Sequence, residues 1–492
     1  MKDNNRGDGI LCDRRDQYRR LVLATLVWGS FLLGTNLYNI HFIFDHDNIG
    51  IDTTNNVDID VPIQDSSSIR ALQKDTIDMF LSQYNLTQDV KARDILSAST
   101  NLINIGFTSH SDVSVSDTSY EGLIAEFCPL NFTKQKYNPR DIETYQELIE
   151  VCNCGKGSKD IIRVDLKEAI RLVREYDTYI AQRQNINDST INTVRDNNIP
   201  TILDFRGAIF HEGRSGASLT AQSLMAIDTT KTRVYSEPSP PYIAMKICAE
   251  GFTECSISAS SNILQDVMYL MSRSNDSKEE NLFFIFQPEA TRVLESFRMA
   301  FPTTPWLFLY RDSIDAMICN TKRAGFSLKT SPMVDAFLER TKLDEEDITK
   351  TEMTAIQLAT FRWSALRVME SSGLGLAVEY STSHTTKLID TIIPAHFHTP
   401  LEKYRIRRIR LLSKMYDSER DGLDPRGSGS EDEHRLSEDI PRSIEKISKR
   451  FLQSPFDKLR RSRFNFEQCQ YSKHGKGANY LHCPDEDDSE DE

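Results

Sequence analysis

Apolar and polar positions divide the chain into stretches of different kinds. Leu21 to Phe44 contains no Asp, Glu, Lys or Arg, and its first half, LVLATLVWGSFLL, is strongly apolar. A helix of that length crosses about 30 Å of hydrocarbon, so the run reads as a transmembrane signal anchor. Arg14, Arg15, Arg19 and Arg20 precede it, and Asp45, Asp47 and Asp52 follow it. The positive-inside rule then makes residues 1–20 a cytoplasmic tail and sends the rest to the lumen. The competing reading, a cleaved signal peptide, lacks a small-x-small site closing the run. Residues 45–65 are polar and rich in Asp and Asn, which predicts a flexible stem. From Ser67 to Ile103 apolar residues recur at helical spacing (Ile69, Leu72, Ile77, Phe80, Leu81). Leu166 to Gln182 has the same period. Residues 45–198 are thus expected to form a lumenal stem and helical region, ending in an Asn- and Asp-rich boundary.

Beyond it, short apolar runs alternate with helical stretches. Strands are predicted at 208–210, 233–235, 282–286 (LFFIF), 306–310 (WLFLY) and 374–378. Helices are predicted at 218–227, 288–300, 312–323 and 353–370. Strands separated by helices imply an α/β fold, a parallel sheet covered on both faces, over about 199–425. Residues 426–492 are Ser-, Glu- and Arg-rich, then basic, then acidic, and read as a charged low-complexity tail that is disordered or loosely attached.

Charge and cysteines sharpen the compartment. The net charge of −14 gives no electrostatic footprint for nucleic acid. Eight cysteines follow the anchor, an even number that permits disulfides in an oxidising lumen. Cys152-Asn-Cys154 has the wrong spacing for a zinc knuckle, and a structural cystine with Cys128 is the better reading. Asn85, Asn131, Asn187 and Asn275 begin acceptor sequons, which agree with a lumenal body.

The candidate chemistry lies in Phe210-His-Glu-Gly-Arg214-Ser215-Gly216-Ala217-Ser218-Leu219. A strand running through a glycine-bearing loop into a helix aims backbone N–H groups and a helix N-terminus at an anion. Arg214 adds a positive charge, and Ser215 and Ser218 add hydroxyl donors. The pattern G-x-x-x-x-G-K-[ST] is absent, which argues against an ATPase or nucleotide kinase.

Arg-Ser-Gly-x-Ser-Leu after a strand resembles the 5′-phosphosulfate loop of the sulfotransferases, P-loop proteins that use 3′-phosphoadenylyl sulfate (PAPS). It is closer to the Arg-Ser/Thr-Gly-Ser/Thr of the Golgi carbohydrate and tyrosylprotein members than to the Lys-Ser-Gly-Thr-Thr of cytosolic ones. Pro305-Trp-Leu-Phe-Leu-Tyr-Arg311-Asp312 is similar to the family's 3′-phosphate strand and helix, and to bacterial sulfotransferase-like proteins. Tyr235-Ser-Glu237-Pro238 matches a Glu-Pro common in carbohydrate sulfotransferases, and Glu379-Tyr380 ends a strand like the family's late one. The resemblance covers roughly 180 residues. Three positions depart from it. Cys319 stands where the 3′-phosphate serine is expected, Ser313 replaces the usual Pro, and no Lys follows the 282–286 strand.

The resemblance implies PAPS as donor, no metal, and a glycan or glycoprotein acceptor, with the protein a single-pass Golgi membrane enzyme. Arg214, Ser215, Gly216, Ala217, Ser218 and Leu219 would hold the 5′-phosphate and sulfuryl oxygens, and Arg311 and Cys319 the 3′-phosphate. Glu237 is the candidate base for the acceptor hydroxyl, with Arg214 stabilising the leaving side and His211 a second candidate base. Against this enzyme stands a non-catalytic lumenal binding protein on a degenerate P-loop fold.

Overall fold

The computed structural model describes residues 76–482, except 87–88, 108–113, 118, 156, 188–198, 250–254, 322–331, 343–347, 373, 382, 421–441 and 475–477. The expected anchor at 21–44, the segments beside it and the acidic stretch 484–492 lie outside the described residues. No described helix is long and apolar enough to cross a membrane.

The main elements of the N-terminal part are α1 (Val90–Leu96), β1 (Asn101–Phe107), β2 (Leu123–Cys128), α2 (Tyr145–Val151), β3 (Ile162–Asp165) and α3 (Leu166–Asn187). Then come β4 (Asp204–His211), α4 (Ala217–Ile227), β5 (Thr232–Ser236), α5 (Ser239–Lys246), α6 (Ile257–Ser272), β6 (Asn281–Ile285), α7 (Leu294–Ala300), β7 (Trp306–Tyr310), α8 (Ser313–Thr321), α9 (Lys350–Ser372) and β8 (Gly375–Glu379). The C-terminal part adds α10 (Lys403–Arg420), α11 (Arg442–Phe451), α12 (Gln453–Arg461) and the hairpin β9 (Gln470–His474) and β10 (Ala478–His482).

β4 to β8 form one sheet in the order β8-β7-β4-β6-β5, with every pair parallel. This is the expected α/β architecture, and all five predicted strands fall in it. Its apolar runs are continuous because both faces are covered. Alternate residues point to opposite sides. Phe210, Phe284, Trp306 and Phe308 enter one core, while Ile209, Phe283, Ile285, Leu307 and Leu309 enter the other. Aromatic stacking runs across the first side, with Phe210 and Phe286 at 4.6 Å and Tyr235 and Phe284 at 4.9 Å between ring centroids. β4 is central, with β5 and β6 on one side of it and β7 and β8 on the other. Strand order reverses there, and in open parallel sheets that reversal opens a crevice at the carboxyl ends of the strands.

Two expectations need correction. The region 45–198 is not helical throughout. β1, β2 and β3 make an antiparallel sheet in the order β1-β2-β3, whose buried Leu102, Ile105, Ala125 and Phe127 join the first core. The alternation in Leu123–Cys128, buried and half-buried by turns, is the period of a strand. The stretch from 442 is likewise not a disordered tail. α11 and α12 bury Phe451, Leu452, Phe456 and Leu459, and Phe464 O accepts the Ala377 N–H on the outer edge of β8. Each such side chain withdrawn from water stabilises by about 1.5–3 kcal/mol, enough to override a charged composition.

Cys128 is bonded to Cys154, as expected of this cysteine group, and Cys152 is free. Cys248 is bonded to Cys255, and Cys469 is also disulfide-bonded. Asn85, Asn131 and Asn275 are exposed.

Candidate active site

The predicted anion loop leaves the carboxyl end of β4 at the strand-order reversal. Gly213, Arg214 and Gly216 all take the left-handed backbone conformation, with φ of 82°, 56° and 86°. Gly216 is the N-cap of α4 and gives it no side-chain cap. The first amides of a helix have no intrahelical acceptor, so the α4 N-terminus presents N–H groups to the loop's concavity. The ring of Tyr380 packs on Gly216 so closely that a Cβ there would stand 2.2 Å from Cδ2.

Not every loop side chain faces that concavity. Ser215 is fully buried, and its hydroxyl donates to Leu309 O at 2.9 Å, tying the loop to β7. Ala217 and Leu219 are buried in the core, so their contribution to a ligand reduces to backbone amides. Ser218 is half-buried in the first turn of α4, and Arg214 is exposed.

Arg311 follows β7 and is 8% exposed. Its Nη1 donates to Arg214 O at 3.2 Å and lies 3.6 Å from Cys319 Sγ. Its guanidinium carbon sits 5.0 Å from the Tyr380 ring centroid, and Nε is buried with no hydrogen-bond partner among the described residues. The sequence pairing of Arg311 with position 319 is therefore realised in space, α8 bringing the thiol beneath the arginine. Asp312 accepts the Ile314 N–H at 2.8 Å and so starts α8.

No sequence motif marks Glu212 or Arg362, yet they hold the site together. Both are fully buried. Arg362, on α9, donates from Nε to Glu212 Oε2 at 2.7 Å and from Nη2 to Oε1 at 3.0 Å. Glu212 Oε1 also accepts the Arg311 N–H at 2.8 Å. Arg362 Nη2 donates to Arg311 O at 2.9 Å, and Nη1 donates to Ser313 Oγ at 2.7 Å. One bidentate ion pair thus fixes the anion loop, the end of β7 and the start of α8 together. Ser313 is a working member of this network. The available signal was weak: a Glu inside the loop, and an Arg at the centre of a long helix.

Glu237 follows β5 in the left-handed region at φ 54°, a costly conformation for a residue with a side chain. Its N–H is held by Ile285 O at 2.7 Å, and its carboxylate is partly exposed at the strand ends. His211 stands behind it. Gly213 N–H donates to His211 Nδ1 at 3.1 Å, which leaves the ring proton on Nε2, 3.7 Å from Glu237 Oε1. Burial lowers the His211 pKa to about 4, so the ring is neutral near pH 7. Glu379 ends β8 beside Tyr380, and burial raises its pKa. Among the described residues no group of three or more His, Cys, Asp or Glu is arranged to hold a metal.

No family model matches the chain, and no curated protein matches it. Among solved structures it is similar to a sulfotransferase from Mycobacterium avium, with 12% identity and a TM-score of 0.32 over 58% of this chain and 83% of that one. It is also similar to the sulfotransferase domain of the Synechococcus PCC 7002 olefin synthase, with 11% identity and a TM-score of 0.27 over 51% and 94%. At these scores the paths superpose only loosely, and the functional reading rests on the loop, the arginines and the strand order of this chain.

Three buried histidines give the fold an acid limit. Burial lowers the pKa from 6.5 to about 4 for His211, about 3 for His384 and about 4 for His396. Above pH 6.5 they are neutral in both states and contribute nothing. As pH falls from 6.5 toward 4, the unfolded chain takes up protons that the folded chain refuses, so stability falls. Each histidine costs about 1.4 kcal/mol per pH unit in that window. The raised carboxyls of Asp266 and Glu379 offset part of the loss. Thermal melting at pH 7.5 and pH 5 is expected to show a marked drop at pH 5. An unchanged melting temperature would contradict it.

Proposed function

We propose that this chain is a sulfotransferase. It moves the sulfuryl group of PAPS to a hydroxyl of a glycan or protein in the secretory pathway, from a Golgi membrane position with a cytoplasmic N-terminus. The observation that carries the reading is the Glu212–Arg362 lock, because it brings an uncapped glycine loop and Arg311 to one crevice. Two anion-binding devices in one crevice suit a donor with phosphate at both the 5′ and 3′ positions. The unpartnered Nε of Arg311 fits a further acceptor there. The Cys128–Cys154 and Cys248–Cys255 disulfides, together with exposed sequons, support an oxidising lumen.

In this reading the first amides of α4 and the Ser218 hydroxyl hold the 5′-phosphate, and Arg311 holds the 3′-phosphate. The acceptor oxygen forms the new O–S bond as the bond from sulfur to the 5′-phosphate oxygen breaks. Charge grows on that departing oxygen, and Arg214 and the α4 N-terminus stabilise it. Glu237 takes the acceptor proton. His211 stands behind it, with Nε2 3.7 Å from Glu237 Oε1, beyond hydrogen-bond distance. Positioning and charge stabilisation carry such in-line transfers.

Glu237→Gln removes the proton acceptor and leaves the strand end in place. Radiosulfate transfer from labelled PAPS to a panel of glycans and tyrosyl peptides is expected to fall about 10²–10⁴-fold, with donor binding unchanged. Equal transfer by wild type and variant would remove Glu237 from the chemistry. A second reading, a lumenal binding protein without catalysis, is favoured by one observation: a thiol, a poorer donor than a hydroxyl, stands under Arg311 at position 319. It predicts no transfer to any acceptor.

A further inference from the structure

Charge is segregated at the C-terminal end of this acidic chain. Residues 442–463 hold eight Lys or Arg against two Asp or Glu, while 484–492 hold seven Asp or Glu and no Lys or Arg. Because α11 and α12 turn their apolar residues into the core, their cations face outward. Lys446, Lys449, Lys458, Arg460 and Arg461 are all exposed. Where this face meets α9 a groove opens, with Lys449, Lys458, Arg461 and Arg463 among its lining and only Glu370 and Asp457 as acids. Asp457 is engaged by Gln453 Nε2 at 2.9 Å. Lys449 reaches Glu445 at 3.9 Å, an exposed pair of little strength. Lys458 rests over the Trp363 ring at 4.6 Å, which keeps its ammonium at the groove.

The chain returns to this place. His482 pairs with Gln470, and Gln470 is six residues from Phe464, which also lines the groove. Six residues span at most about 22 Å, and the ten residues after His482 span up to about 33 Å. The acidic stretch therefore reaches the groove from its point of attachment. A segment tethered in this way has an effective concentration in the millimolar range, above that of most soluble competitors.

We propose that the acidic residues 484–492 dock on the basic face of α11 and α12, in the groove against α9. The contact is electrostatic and stands apart from the donor chemistry. It covers a surface that would otherwise attract a soluble polyanion.

Two measurements on the full chain test it. Zero-length carbodiimide crosslinking with peptide mapping is expected to join carboxylates of 485–492 to Lys446, Lys449 and Lys458. In about 1 M salt, where screening acts within about 3 Å, those links are expected to vanish. Links absent, or spread equally over exposed lysines such as Lys167, Lys231 and Lys278, would overturn the proposal. Second, a chain ending at Pro484 is expected to elute from heparin at higher salt than the full chain. In a background of Lys449→Gln, Lys458→Gln, Arg461→Gln and Arg463→Gln, truncation is expected to have no such effect. An equal shift in both backgrounds would mean that the acidic residues act only through net charge. No shift in either would mean that the face is open to an outside polyanion. Both outcomes reject the docking.

Discussion

Replacing Arg362 with Ala is expected to cost about 3–5 kcal/mol of stability, because it leaves the Glu212 carboxylate buried with one N–H donor, that of Arg311. Both side chains of this pair are fully buried. Domains are stable by about 5–15 kcal/mol, so the loss is a large fraction of the whole. The variant also frees Arg311 O and Ser313 Oγ from their guanidinium donor. Arg362→Lys keeps a charge but cannot reproduce the fork, which serves Glu212, Arg311 O and Ser313 at once, and an intermediate loss is expected. Urea unfolding of the three proteins measures this. An unfolding free energy for Arg362→Ala within about 0.5 kcal/mol of wild type would mean that the pair is not the lock described here.

The second large effect concerns the ligand and leaves the fold intact. The lock grips Arg311 through its peptide N–H and C=O, so Arg311→Ala removes the guanidinium without touching the Glu212 and Arg362 bonds. What is lost is the cation under Tyr380, its bond to Arg214 O and its reach toward a phosphate. Hydrogen bonds to charged groups contribute about 1.5–3 kcal/mol, so binding of a 3′-phosphorylated nucleotide is expected to weaken about 10- to 150-fold. The melting temperature should stay near that of wild type. A folded variant with undiminished affinity would take Arg311 out of the site.

The parallel sheet was legible in the sequence because buried parallel strands are unbroken apolar runs. LFFIF and WLFLY are too short for buried helices and rich in the aromatics that strands favour. The loop was legible because glycines at 213 and 216 have a backbone reason, left-handed φ, that other residues meet at a cost. Arg311 was found through its strand, and the structure brings it against the loop. The lock was not legible. Nothing in the spacing between Glu212 and Arg362 predicts contact, since a long-range ion pair depends on how α9 folds back over the sheet. Ser215 misled for a related reason: a hydroxyl in an anion loop reads as a ligand donor, yet its partner is a carbonyl on the neighbouring strand. The segment from 442 misled through composition. Its cations dominate the average, while the apolar set at Phe451, Leu452, Phe456 and Leu459 recurs every one to four residues and forms a single buried face.

Donor binding tests the central claim most directly. The chain is passed over immobilised 3′,5′-diphosphoadenosine and eluted with the free nucleotide, alongside folded Arg311→Ala. The crevice described here predicts that wild type is retained and released by the nucleotide, and that Arg311→Ala is held more weakly and released at a lower nucleotide concentration. Wild type in the flow-through would contradict the claim that the glycine loop and Arg311 form a site for this donor.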